Sequence, residues 1–261
     1  MESKNPVFSR RGSAGKQAWS TPTPGQLQEM YDTPSYAPVA AGRTMTIDDV
    51  VIRGFLTLGT LVASAAVAWW LDLGLGVAIG AMIVGVILGL IVSFKQSTNP
   101  VLILGYALSY GVVVGVVSNI FNDLYNGIVM QAVLGTAFAF AGTLAAYTLR
   151  VVRVTPKFVR FVVAASIAAL GLVLVNLLVG LTNEGVGFGL RTDSWLGWVF
   201  SAAMILLGCF FLLLDFAMIE DGVREGAPEK FAWLCAFGLT VSLVWIYLEV
   251  LRLLSYFSSS D

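Results

Sequence analysis

From Val50 onward the chain is a succession of long apolar runs separated by short polar breaks. The runs are Val50 to Leu71, Leu75 to Phe94, Val101 to Phe121, Ile128 to Leu149, Phe158 to Leu181, Leu196 to Ile219 and Ala232 to Leu254. Each is about 20 to 24 residues long, and about 20 residues in a helix cross a 30 Å hydrocarbon core. The pattern therefore predicts an all-α integral membrane protein of seven transmembrane helices. Several helix starts carry their own signal. Thr46-Ile47-Asp48-Asp49 has the spacing of a capping box before the first run, and Asn99-Pro100 and Thr155-Pro156 each set a capping side chain ahead of a proline suited to the first helical position. The pairs Gly76/Gly80, Gly85/Gly89 and Gly111/Gly115 have the GxxxG spacing that lets helices approach closely, and predict packing of spans two and three on one another. The first six spans divide into two sets of three, the second inverted relative to the first because three is odd.

Composition supports the same class. Of 261 residues, 57% are hydrophobic and 12% charged, against roughly 45–50% and 25% in soluble domains. Residues 1–44 differ: rich in Ser, Pro, Gly and Gln and without apolar periodicity, they read as a disordered cytoplasmic tail that sets topology or meets a partner, ahead of a transmembrane domain over 45–257. No apolar stretch follows Arg10, Arg11 and Lys16, so the tail does not read as a signal peptide. With a cytoplasmic N-terminus, the inner side holds every lysine and arginine except Arg191 and Arg252, which orients the chain with its C-terminus outside. Trp69, Trp70, Trp195, Trp198 and Trp233 fall at span ends as an interfacial belt requires, while Trp245 lies deep in the last span. A net charge of −1 and the lack of a basic face give no sign of nucleic-acid binding.

The chemistry-bearing residues are few. There is no histidine, so the usual zinc ligands and a Ser-His-Asp set are excluded, and no phosphate-binding or zinc-protease motif occurs; the chain reads as a non-enzyme without a resident cofactor. Cys209 and Cys235 lie inside apolar runs and read as packing residues. What stands out is Asp215, within Cys209-Phe210-Phe211-Leu212-Leu213-Leu214-Asp215-Phe216, because an acid at the centre of a span costs on the order of 2.5–3.5 kcal/mol on insertion scales. Glu249 is a second acid, in the last run. At about 1.5 Å per residue, Asp215 lies roughly 10 Å from the inner end of its span and Glu249 roughly 25 Å from the inner start of the next, an offset of some 15 Å. The positions of span seven level with Asp215 are Leu239 to Ser242, which makes Ser242 and Thr240 candidate partners, while Arg252 stands at ion-pair spacing from Glu249. The segment Glu220 to Lys230 reads as a charged inner loop. Its Glu220 and Asp221 are gate or ion-pair candidates that, with Asp48 and Asp49, could form an acidic vestibule; a solvated turn is the simpler reading.

Leu213-Leu214-Asp215-Phe216-Ala217-Met218-Ile219, followed by the run from Leu239 through Tyr247-Leu248-Glu249 and Arg252 to Leu254, resembles the last two spans of the Bax inhibitor-1, or transmembrane Bax inhibitor motif, family. Thr155-Pro156-Lys157-Phe158 and Gly226-Ala227-Pro228-Glu229-Lys230-Phe231 are similar to its bacterial YccA-like branch, and the likeness extends over Met45 to Phe257. The resemblance implies a fold in which the last helix is central and wrapped by two three-helix sets. It implies a cation path in a bacterial inner membrane, commonly a pH-dependent calcium leak, governed by two aspartates on spans six and seven that share a proton; calcium and protons are then the transported or regulatory ions. Asp215 matches the first aspartate. For the second, the Tyr-Leu-acid match points to Glu249 and an ungapped match back from Arg252 points to Ser242, the position that the depth arithmetic favours. The family's buried arginine in span two has no counterpart between Leu75 and Phe94. The branch also implies an alternative role, a membrane-embedded regulator that binds a partner such as a quality-control protease.

Overall fold

A computed structural model describes residues 23–25, 28, 43–182 and 194–259. The tail reading and Arg191 fall largely or wholly outside these residues. Seven helices follow in order: α1 (Ile47–Trp70), α2 (Leu75–Lys95), α3 (Pro100–Leu124), α4 (Ile128–Thr148), α5 (Pro156–Thr182), α6 (Trp195–Arg224) and α7 (Phe231–Ser259). All seven are long and apolar enough to cross a membrane. Their outward faces carry Phe55, Trp70, Phe94 and Phe138, each more than 70% exposed, a surface suited to hydrocarbon and not to water. The helix ends that begin α1, α3, α5 and α7 are termed the basic end here, after Arg43, Lys95, Lys157, Arg224 and Lys230.

The predicted starts form as local chemistry dictates. The Thr46 hydroxyl accepts from the Asp49 amide at 3.3 Å while the Asp49 carboxylate accepts from the Thr46 amide at 3.0 Å, a complete capping box. Asn99 Oδ1 accepts from Val101 N at 3.0 Å with Pro100 at the first helical position, and Thr155 Oγ1 accepts from Phe158 N at 3.3 Å. Two helices run five residues past their apolar runs: α7 continues to Ser259, and α6 to Arg224, so Glu220 and Asp221 are helical and the connecting loop is only 225–230. The apolar run ends at Ile219, but a helix stops where its carbonyls find a terminating partner. That happens at Gly226, at φ 69°, where Ala227 N donates to Gly222 O (2.9 Å) and Gly226 N to Val223 O (3.2 Å).

Helix α7 is the axis of the bundle, packing against α1, α3, α4 and α6. Among the described residues it is the most buried of the seven helices, and α5, which packs mainly against α6, is the least. The remaining helices fall into two sets, α1–α3 and α4–α6, joined across α7. The glycine pairs serve three different purposes. Gly85 and Gly89 do face α3, where a Cβ would come within 2.9 Å of Tyr110 and 3.3 Å of Tyr106. Gly111 and Gly115 instead receive α1, a Cβ at Gly115 falling 2.3 Å from the Ala65 carbonyl oxygen. Gly76 and Gly80 face open space, so their spacing marks no helix contact inside this chain.

Because the obstacle at Gly115 is backbone, Gly115→Ala is expected to lower stability by about 1–3 kcal/mol through forced separation of α1 and α3. Gly80→Ala, at an open helical position, should leave it unchanged or raise it slightly. Thermal unfolding of the detergent-solubilised pair decides this, and equal effects would refute the packing assignment.

Candidate functional site

The site is built on the antiparallel seam of α6 and α7, which small residues bring together. A Cβ on Gly208 would lie 2.6 Å from Ile246, and one on Gly222 would lie 3.1 Å from Phe231. These two contacts set the register and place Asp215 level with position 239. There the Ser242 hydroxyl donates to Asp215 Oδ2 at 2.6 Å. The other carboxylate oxygen lies against bare backbone, since a Cβ at Gly238 would be 2.6 Å from Asp215 Oδ1. Gly238 and Ser242 are one helical turn apart, so together they form a notch that seats the carboxylate. Gly238 was not singled out from sequence, although its i,i+4 spacing from Ser242 is the small-xxx-small signal of a close helix contact.

Glu249 does not join this group. It lies ten residues beyond position 239, roughly 15 Å along the axis, and is buried with Arg252 Nη1 at 3.1 Å from its Oε1. Thr240 is fully buried but does not serve Asp215: its hydroxyl donates to Ala236 O at 2.8 Å within α7. Two residues from Ser242, it stands about 200° round the helix, on nearly the opposite side. Of the candidates on span seven, Ser242 alone is brought to Asp215 by a hydrogen bond. Trp245, the tryptophan far from any interface, donates its Nε1–H to Met204 O of α6 at 3.1 Å, which satisfies the indole at depth and adds a fixed point to the seam.

A cavity of about 230 Å³ begins beside this seam, at Val241 and Trp245, and follows α7 past Tyr106 and Tyr110 to Glu249 and Arg252. It extends from near the level of Ser242 towards the far end of the bundle, and the Glu249–Arg252 pair stands along it.

At the basic end Glu229, Asp49, Asp221 and Glu220 are each engaged by a neighbouring side chain. Arg53 of α1 donates to the Glu229 carboxylate (2.5 Å) and to the Glu229 carbonyl (2.8 Å) and lies over the Trp233 ring at 5.7 Å. Asp49 pairs with Arg43 at 3.1 Å, Asp221 with Arg224 at 2.5 Å, and Glu220 accepts from the Tyr147 hydroxyl. The chain before α1 is laid against the α6–α7 loop, with Met45 N donating to Ala227 O (2.8 Å) and Glu229 N to Arg43 O (2.9 Å). Met45 itself is buried, packed with Val50, Ala232 and Cys235. The loop that links the two site helices is thereby tied to α1.

This architecture defines a multi-pass helical membrane protein whose central helix presents a hydroxyl to a membrane-embedded carboxylate. The chain belongs to the Bax inhibitor 1-like family, whose model matches residues 5–259. Searches of curated proteins and of solved structures gave no match.

The hydrogen bond to Asp215 is one to an ionisable acceptor, and such bonds contribute about 1.5–3 kcal/mol. Ser242→Ala is expected to destabilise the protein within that range, whereas Thr240→Val, which removes a bond internal to α7, should cost less. Chemical or thermal unfolding of both variants provides the comparison; the reverse ranking would contradict the notch.

Proposed function

We propose that the protein is a non-enzymatic cation leak channel or transporter, with calcium as the favoured ion, and that Asp215 is its protonatable gate. The observation that carries this reading is the carboxylate seated within an apolar membrane span, against the central helix, by Ser242. An ionisable group is costly in that position and is by default a functional one. Ionised, Asp215 accepts from Ser242 and attracts a cation; protonated, it loses its charge and its hold on α7 weakens, which alters the seam. Calcium takes six to eight oxygens, so one carboxylate and one hydroxyl suit a passing ion and not a tight resident site. Neither Asp215 nor Ser242 lines the cavity from Val241 to Arg252, so in this reading a change at the seam opens the way into it, with Arg252 and Glu249 as the second station. In this reading the protein is a YccA-like member in a bacterial inner membrane, its N-terminus cytoplasmic and its C-terminus outside, as the distribution of lysine and arginine favours.

The two-acid arrangement associated with the family is replaced here by an acid and a hydroxyl, which gives a distinctive expectation. In proteoliposomes the wild type should pass calcium with a pH dependence that Asp215→Asn abolishes. Ser242→Asp, which installs a second acid within reach of the first, should shift that dependence towards higher pH, because two like charges at short range resist joint ionisation. Fluorescent-indicator flux assays across pH 5–8 test both, and an Asp215→Asn profile identical to the wild type would sink the gate.

A second reading is favoured by the docking of residues 43–46 on the loop between α6 and α7. A membrane protease or another membrane protein that grips the chain ahead of Arg43 would act directly on that loop, making the protein a regulator. Removing residues 1–42 separates the readings: a channel continues to conduct, and a regulator loses its partner in pull-down.

A further inference from the structure

A groove of about 1130 Å³ opens on the side of the bundle between α1 and α4, with α6 and α7 as its floor. Its lining runs from Ile47 to Val62 along α1 and from Thr148 back to Val133 along α4. Fifteen residues on each helix span roughly 22 Å, so the groove starts at the basic end and stops short of crossing a 30 Å core. Its polarity is one-ended. Tyr147, Thr148, Glu220 and Arg224 stand at the basic mouth, and the two hydroxyls deeper in are already engaged: Thr136 donates to Ala132 O, and Tyr247 bonds Ser118 at 2.6 Å.

The dimensions and charge select among occupants. The lining ends after roughly 22 Å, short of the 30 Å that a transmembrane helix has to cross. Water lacks the polar partners it needs along the apolar length. We propose that the groove binds a zwitterionic phospholipid of the surrounding bilayer, one acyl chain lying along α1 and α4 and the headgroup at the basic mouth. That mouth presents both signs of charge. Arg224 is exposed and held only by an exposed pair with Asp221, an interaction of the kind that contributes about 0–1 kcal/mol, so a lipid phosphate can take the guanidinium. Glu220, on the same helix face one turn earlier, takes the ammonium. The chain would rest on Phe216 and Leu243, the residues next to Asp215 and Ser242, on the reverse side of the α6–α7 seam.

Full-length protein is reconstituted into vesicles of equal phosphatidylethanolamine and phosphatidylglycerol, released in mild detergent and examined by native mass spectrometry. The expected spectrum carries a one-lipid adduct enriched several-fold in phosphatidylethanolamine. Leu58→Trp or Ala137→Phe, which fill the groove, should remove the adduct, and Glu220→Gln, which leaves Arg224 for the phosphate but removes the partner of the ammonium, should keep an adduct while abolishing the headgroup preference. A phosphatidylethanolamine with a photoreactive acyl chain, used on the wild type alone, should label peptides of α1 and α4 above those of α2 and α5. Adducts retained in both filled variants overturn the proposal, as does wild-type labelling spread evenly over the helices. Crosslinks from Ala137→Cys to a second copy or to the chain's own first 42 residues would assign the groove to a different occupant.

Discussion

A carboxylate inside a membrane has to find its partner within the protein, and the packing of the last two helices follows from that requirement. The Asp215 side chain needs a donor at its own depth and room for its second oxygen. Ser242 and Gly238 supply both on one turn of α7. The same rule recurs along the axis: Trp245 reaches a backbone carbonyl of α6, Tyr247 meets Ser118 of α3, and Glu249 meets Arg252. Each bond is made in surroundings where the alternative is an unsatisfied polar group in hydrocarbon. Helix α7 carries one partner in each of the three interhelical bonds, to α6 twice and to α3 once, and both partners of the Glu249–Arg252 pair; the interhelical bonds are the physical content of its central position.

The seam is close because glycine lines both of its sides, Gly208 and Gly222 on α6 and Gly238 on α7. Close approach makes it stiff, yet the loop that joins the two helices is not left to the solvent. Arg53, Glu229 and Trp233 bind it to α1, and the strand of chain from Arg43 to Thr46 is hydrogen-bonded along it. An event on either side of that attachment, a change of charge at Asp215 or a pull on the chain ahead of α1, therefore acts on one mechanical unit. Beside Asp215 stands the Ser242 hydroxyl and not a second acid. One carboxylate can ionise there without a like-charged neighbour to oppose it.

Much of the design was legible before any coordinates. The seven apolar helices, the caps at Thr46, Asn99 and Thr155, the level of Asp215 with Ser242 and the Glu249–Arg252 pair all follow from apolar length, capping residues, rise per residue and i,i+3 spacing. Those quantities fix position along an axis and hold whatever the helix packs against. The end of α6 was misjudged because hydrophobicity marks where hydrocarbon ends, while the helix continued to a left-handed glycine that closed its carbonyls.

What only the tertiary structure decided is rotation about each axis and choice of neighbour. Gly111 and Gly115 receive α1 in place of α2, Gly76 and Gly80 receive nothing within the chain, Thr240 is turned from Asp215, and Gly238 is pressed against it. None of these can be deduced from a single helix. In hydrocarbon an apolar face gains little by being inside and not outside, so the periodicity that marks a buried face in a soluble protein is weak here. Close packing and the pairing of a few polar groups choose the faces instead, and both belong to helices that lie far apart in the sequence.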